Sequence, residues 1–428
     1  MMVGLIFDAA TIILSSIMFI YAINRLNRNA NYFIYFIFFV IMVLPLYLDY
    51  TIGKPDYHSW PLGCKNYGFI VSYDDELTRI IYDLLILIVQ SSLLLFKTNF
   101  VNKISLLDSL SPRSLRAFRR LLGVIALLPI ILTFLLPLNN EMLFSWGWRD
   151  ASLFTFDQGM YFKVEKLSYL GLAASLLLLY LNRYKQMKLI NLLWLACLYM
   201  NACLEAKRSI LIFAASILLA LVVGKASKKD LFKILIFVGI IGALIVLLSV
   251  YIKTQYRGYG SSGFTAIYGN LRVDYFRDDT TKMLIYSLLH PGDIKVLSYP
   301  LQSYISQIGY IFPLDFLSVD RLGYNTYFTC ALIREPLSSG LSYTTTSMID
   351  EMIANFGILA LFIIPAVVLA FANLADRLPL ELKALVCSCF VLLMMYSLNY
   401  IMWYLEVSLA LIVIYRHSKK KRRKESAK

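Results

Sequence analysis

Three short stretches of the chain gather the residue types that chemistry at a membrane surface needs. The first is Leu204-Glu205-Ala206-Lys207-Arg208-Ser209, which packs three charges into a tight turn. Ser209 can cap a following helix, whose exposed N–H groups beside Lys207 and Arg208 favour an anion. A salt bridge from Glu205 to Lys207 or Arg208 accounts for the same residues. The second is Arg272-Val273-Asp274-Tyr275-Phe276-Arg277-Asp278-Asp279. Guanidinium forks match phosphate oxygens, and the carboxylates can accept a proton or orient the arginines. Read as one helix, the segment sets Arg272, Phe276 and Asp279 on one face and pairs Asp274 with Arg277 or Asp278. An amphipathic surface helix with internal ion pairs would give that pattern too. The third is Tyr343-Thr344-Thr345-Thr346-Ser347-Met348-Ile349-Asp350-Glu351-Met352. Its hydroxyls can cap a helix whose first turn holds Asp350 and Glu351, as the helix dipole favours. Alternatively, one of these carboxylates activates a hydroxyl as a general base.

Single residues add to this set. His290 precedes Pro291-Gly292 and reads either as a base or as the end of a helix. Arg257, Arg321 and Arg334 lie elsewhere in the same long segment. Asp8, Asp49 and Asp83 fall within or beside apolar stretches, where an ionisable group needs a partner that local sequence does not name. Of six cysteines, Cys197, Cys203, Cys387 and Cys389 lie in apolar stretches and suit packing. Cys64 and Cys330 share one face, where a disulfide is chemically permitted. No CxxC or HxxxH spacing suggests a metal, and no Gly-rich phosphate loop is present.

The elements that must position these residues follow from composition. The 428 residues are 59% hydrophobic and 16% charged, with a mean hydropathy of +0.67. Soluble domains average about 45–50% apolar and about 25% charged, so a water-soluble globule is excluded. A helix crosses hydrocarbon with about 20 apolar residues. Spans are expected near 3–22, 32–50, 79–96, 121–138, 167–182, 189–204, 209–224, 233–251, 353–373, 384–398 and 402–415. The chain therefore reads as an all-α polytopic membrane protein with about eleven transmembrane helices. It divides into an N-terminal bundle (1–251), a large loop (252–352) and a C-terminal bundle with a basic tail (353–428). The loop should carry a helix at about 264–289, and Val296–Phe316 should lie at the interface.

The net charge of +14 invites a nucleic-acid reading. More than half of the 41 Lys and Arg residues, however, sit in alternate short loops and in the tail Lys419-Lys420-Lys421-Arg422-Arg423-Lys424. That is the pattern of cytoplasmic loops meeting anionic lipid, with no nucleic acid required. The N-terminus is then outside and the C-terminus cytoplasmic. The loops 51–78, 139–166 and 252–352 face outward.

On these residues the chain resembles the Wzy-type polymerases of O-antigen and capsule repeat units. The matching features are Ala206-Lys207-Arg208-Ser209 running into Ile210–Ala220, the Arg272–Asp279 segment, and Glu351 with Asn355-Phe356-Gly357 after the Ser/Thr-rich approach. The likeness covers roughly residues 190–415. Glu205-Ala206 stands where relatives are often Gly-rich, and the loop signature of Arg followed by Gly is met loosely, by Arg257 with Tyr268-Gly269. The resemblance implies a glycosyltransferase of the bacterial plasma membrane. It would join undecaprenyl-diphosphate-linked oligosaccharide units, with a chain-length-regulating co-polymerase as an expected partner. It also implies that Arg208, Arg272 and Arg277 hold the diphosphate, assisted by Lys207 and Arg257. Asp278 and Glu351 rank above His290 as the base, and no metal or other cofactor is called for. Two rivals remain: a flippase of the lipid-linked unit, whose expected repeats and mid-span basic residues are not visible in the sequence, and an O-antigen ligase, which shares the architecture and uses a loop histidine. A metal-dependent lipid-phosphosugar transferase would depend on Asp74 and Asp75.

Overall fold

Within hydrocarbon every backbone polar group must be satisfied internally, and the long apolar runs answer this by coiling into helices. The computed structural model describes residues 2–53, 67–96, 104–136, 140–144, 158–182, 189–205, 208–227, 230–234, 236, 237, 239, 240, 243, 244, 268, 272, 275–293, 301, 304, 323–339 and 345–426. Among them, every regular element is helical.

Six helices are long and apolar enough to cross a membrane: Gly4–Ile23, Ala30–Ile52, Glu76–Leu95, Pro112–Leu135, Val164–Leu181 and Met348–Asp376. Each covers an expected span. Leu189–Glu205 and Ser209–Lys225 are shorter apolar helices at two further expected positions. The expected spans at 384–398 and 402–415 fall in helices Leu380–Met395 and Leu398–Ser426, and much of 233–251 lies outside the described residues.

In chain order we label α1 (Met2–Ile23), α2 (Ala30–Ile52), α3 (Tyr67–Asp74), α4 (Glu76–Leu95), α5 (Pro112–Leu135), α6 (Gln158–Leu181), α7 (Leu189–Glu205) and α8 (Arg208–Lys225). After these come α9 (Asp278–Leu289), α10 (Tyr324–Ile333), α11 (Met348–Phe356), α12 (Ala360–Asp376), α13 (Leu380–Met395) and α14 (Leu398–Ser426).

Several boundaries depart from expectation for local reasons. Helix α5 starts nine residues before the expected 121, because Ser111 accepts from Ser114 N (3.2 Å) and Pro112 sits in the first turn. Arg113, Arg116, Arg119 and Arg120 are therefore helical rather than loop. The segment expected as one helix over 264–289 is broken: Phe276 and Arg277 are non-helical, and α9 begins at Asp278 and closes at His290. Arg272 and Asp279 consequently do not share one continuous helix face. Val296–Phe316 lies almost wholly outside the described residues, as do Lys207, Arg257, Arg321, Asp274 and Cys64.

The chain forms two compact units. One comprises Met1–Phe100, Ala226–Asn373 and Phe390–Met402; the other comprises Val101–Lys225, Leu374–Cys389 and Trp403–Lys428. In the first, α1 and α4 are joined by polar pairs inside apolar surfaces. Ser15 Oγ donates to Gln90 Oε1 (2.7 Å), and Gly4 N donates to Glu76 Oε1 (2.8 Å). In the second, α5, α6 and α7 pack closely, and Asn201 Nδ2 donates to Ala126 O across the helix pair (3.0 Å). A Cβ on Gly171 would come within 2.2 Å of Asn201 Oδ1, so this crossing requires glycine.

One irregularity in the first unit positions the site. Helix α2 opens into a π-helical turn over Phe39–Val43 just ahead of Pro45. Pro45 has no N–H to give the carbonyl of Ile41. The backbone N–H of Arg277 donates to Ile41 O instead (3.4 Å), and Tyr82 Oη donates to Met42 O (2.5 Å). The break before α9 is thus pinned by a carbonyl that α2 cannot use.

Candidate functional site

A guanidinium buried inside a protein is stable only with its charge matched and its donors filled. Arg272, whose side chain is fully buried, meets three carboxylates. Its Nη1 donates to Asp49 Oδ1 (2.9 Å) and to Tyr268 Oη (3.2 Å). Its Nε donates to Asp279 Oδ2 (3.2 Å), and its Nη2 donates to Asp278 Oδ2 (2.6 Å) and to Asp279 Oδ1. Tyr268 Oη donates to the same Asp49 oxygen, and Tyr73 Oη donates to the other, Oδ2 (2.9 Å). Burial raises the Tyr73 and Tyr268 phenols above their ordinary range, so both stay protonated donors.

Lys282 adds a second cation, one helical turn after Asp278. Its Nζ lies 3.1 Å from Asp278 Oδ2 and over the rings of Tyr73 and Tyr82, 4.8 and 5.0 Å from their centroids. Asp278 therefore has one oxygen bonded by two cations. Its other oxygen, Oδ1, is buried and has no hydrogen-bond partner among the described residues. This carboxyl is raised from 3.8 to about 6: burial pushes it up most, Arg272 and Lys282 pull it down, and Asp279 and Asp49 push it up. Chemically, this is a carboxyl poised near neutrality that can take a proton on a free oxygen.

The partners that local sequence left unnamed are tertiary. Asp49 belongs to Arg272, across 223 residues of chain, and Asp8 accepts from Arg79 and from Tyr50 Oη (2.7 Å). Asp83 faces a small cleft lined by Asp8, Leu46, Tyr73, Arg79, Tyr82 and Lys282. Among the described residues the cluster holds Asp8, Asp49, Asp83, Asp278 and Asp279 against Arg79, Arg272 and Lys282, a surplus of carboxyls over cations. Lys282 and Tyr268 acquire roles that the motif does not announce, whereas Asp279 orients Arg272 as its segment allows. For Lys282 the available hint is its helical spacing from Asp278.

The other expected site residues sit elsewhere. Arg277 is buried and turned toward carbonyls. Its Nε and Nη2 donate to Met395 O (3.0 and 2.8 Å), and its Nη1 donates to Phe276 O (2.5 Å). Met395 ends α13, so the cation occupies a favoured helix C-terminus. Glu351 works at the other side of the same turn. Its Oε2 accepts from Leu398 N (2.8 Å), at the start of α14. Asp350 completes a capping box with Ser347 and also accepts from Thr280 Oγ1 (2.9 Å) and Thr281 Oγ1 (2.5 Å), which ties α9 to α11. Of the two readings of the Ser/Thr-rich segment, the capping role is the one the contacts fill.

His290 closes α9, its side chain 43% exposed, with Nε2 3.4 Å from Asp75 Oδ1 and its ring against Tyr286. Asp75 also caps α4, accepting from Thr78 N (2.8 Å). No group of His, Cys, Asp and Glu among the described residues is arranged to hold a metal ion. Arg208 opens α8. Just inside that turn, Tyr169 Oη donates to Glu205 Oε1 (2.8 Å) and lies 2.6 Å from Ser209 Oγ, so Ser209 and Glu205 meet a tyrosine of α6. Lys207 and Arg257 lie outside the described residues. Cys330 is buried beside Ser339, while Cys64, its expected counterpart, is outside the described residues. Comparison with protein-family models, with curated proteins and with solved structures returns no match to the chain.

Proposed function

We propose that the chain is a multi-pass glycosyltransferase of the bacterial plasma membrane. In this reading it has eleven spans, its N-terminus and large loop outside and its basic tail inside. It joins undecaprenyl-diphosphate-linked oligosaccharide units into a surface polysaccharide. The observation that carries this reading is the uncommitted, near-neutral Asp278 carboxyl beside Arg272 and Lys282. Asp278 Oδ1 accepts the proton of a sugar hydroxyl as that oxygen bonds to the anomeric carbon of the donor. The bond from that carbon to the diphosphate breaks, and the diphosphate leaves as an anion. Cations must meet the departing charge. Lys282 and Arg272 both stand against Asp278, and Arg272 reaches a phosphate oxygen by exchanging it for one of its aspartates. Lys207, Arg208 and Arg257 remain assigned to the diphosphate by resemblance. Arg277 and Glu351 are better suited to fixing the turn between α13 and α14.

The carboxyl surplus favours a second reading, a proton-coupled flippase of the same lipid-linked unit, since intramembrane ionisable clusters mark proton relays. Deletion of the gene in its source strain, restored with wild type or Asp278→Asn, separates the two. A polymerase predicts that the polysaccharide ladder collapses to single units on deletion and stays collapsed with Asp278→Asn at normal expression. A flippase predicts that no unit reaches the surface. Long chains retained on their lipid carrier would identify a ligase.

A further inference from the structure

Asp83, on α4, is 1% exposed, and neither of its carboxyl oxygens receives a hydrogen bond from the described residues. An ionised carboxylate buried without donors is among the most costly groups a protein can hold. Its surroundings are specific. Asp8 of α1 lies beside it, already bound by Arg79 and Tyr50. From α2 come Tyr50 and Asp49, and from α3 comes Tyr73. On its own helix stand Arg79 and Tyr82, and from α9 come Lys282, Asp278 and Asp279, with Arg272 behind them. Both nearby cations have another carboxylate within bonding distance: Arg79 holds Asp8, and Lys282 holds Asp278. The cleft has room for about one water molecule, too little for a hydrated metal ion, and two of its walls are already cationic.

We infer that Asp83 and Asp8 are a carboxyl pair that binds one proton at neutral pH, carried on Asp83 and donated to Asp8. This gives one of the two orphaned oxygens a partner, removes the charge that made the other costly, leaves the Asp8–Arg79 pair ionised and lowers the carboxyl surplus by one. Two buried carboxyls on one cleft, with one cation already committed to each neighbour, do not both carry charge there. The site follows from these contacts alone and does not depend on the glycosyltransferase reading.

The test uses the full-length protein in detergent, with thermal unfolding followed from pH 5 to pH 9 in choline chloride and in sodium chloride. Asp83→Asn keeps the shape and the hydrogen-bond donation of a neutral carboxyl. It is expected to melt within about 2 °C of wild type at pH 7, whereas Asp8→Asn strands Arg79 and should melt at least roughly 5 °C lower. A pair whose proton is bound more tightly in the folded state stabilises the protein at low pH, and that stability fades as pH rises through its titration. Wild type should therefore lose stability with rising pH more steeply than Asp83→Asn. Asp278 contributes a slope of the same sign to both proteins, so the difference between them is the reading. The inference is overturned if Asp83→Asn unfolds as readily as Asp8→Asn or fails to fold, because Asp83 is then an ionised partner of Lys282 or Arg79. Equal slopes in the two proteins overturn it as well. Stabilisation of wild type by sodium but not by choline overturns it in favour of a metal cation.

Discussion

Two buried arginines on either side of the break at Phe276 meet opposite kinds of partner. Arg272 faces aspartates of α2 and α9 in a cluster that, among the described residues, carries more carboxyls than cations and leaves oxygens of Asp278 and Asp83 without donors. Arg277 faces main-chain carbonyls at the end of α13, and Glu351 answers it with a carboxylate at the start of α14. At that turn each charge sits against the helix end of opposite sign. The Arg272 cluster is matched in geometry but not in charge. Proteins keep such an imbalance at membrane depth where protons, ions or substrates are handled. The difference separates a region suited to chemistry from one suited to architecture, although both drew attention by the same residue types.

The comparison can be broken most directly at Arg272. Arg272→Met leaves Asp49, Asp278 and Asp279 facing one another without their guanidinium. It should cost about 3–5 kcal/mol, seen as loss of monodisperse protein on size-exclusion chromatography in detergent. Wild-type yield and melting temperature would refute the matching role of Arg272. Next comes Asp278→Asn, which retains a hydrogen-bonding side chain beside Arg272. Polymerisation rate should fall by about 10²–10⁴-fold at near-normal protein level, the range for loss of a general base.

The pH profile sharpens the same point. With the Asp278 carboxyl raised to about 6, its basic form accumulates as pH rises. Activity should climb through pH 6 and level off above it, and a profile flat from pH 5 to pH 7 would remove Asp278 as the base. Linkage runs the other way. A raised carboxyl stabilises the fold below its ordinary pKa, and that contribution is lost as pH climbs through about 6.

On the architectural side the expected effects are smaller. Arg277→Ala removes charged hydrogen bonds to Met395 O and should cost about 1.5–3 kcal/mol, with activity per folded molecule unchanged. A drop in activity beyond the loss of folded protein would restore Arg277 to the reacting site. His290→Ala, at an exposed helix end, should alter stability by no more than about 0.5 kcal/mol and leave the polysaccharide ladder intact. Loss of ligation to the final acceptor in that variant would revive the ligase.

Local signals carried the helices and their caps. The hydropathy of residues 3–22 or 79–96 reports the hydrocarbon directly, and Ser347 before Asp350 is a cap that spacing alone announces. The same signals marked Asp8, Asp49 and Asp83 as residues in need of partners but could not name them, since Asp49 finds Arg272 only through tertiary folding. The segment from Arg272 to Asp279 misled for a related reason. Nothing within it forbids a continuous helix; the break depends on Ile41 O, released by Pro45 in α2 and taken by Arg277 N. Lys282 was similarly overlooked, because a lysine in a loop helix reads as solvated until Tyr73 and Tyr82 are seen around it.

The distance between Asp49 and Arg272 also sets a schedule. A ribosome adds about 5–20 residues per second, so the 223 residues between them take roughly 10–45 s to make. Through that interval the carboxylate of Asp49 can have Tyr73 as a donor but not its guanidinium, and the carbonyl of Ile41 lacks the N–H of Arg277. The early helices of this protein are therefore made before the cation that matches their acid, and Asp49 is matched only when the loop arrives and supplies Arg272.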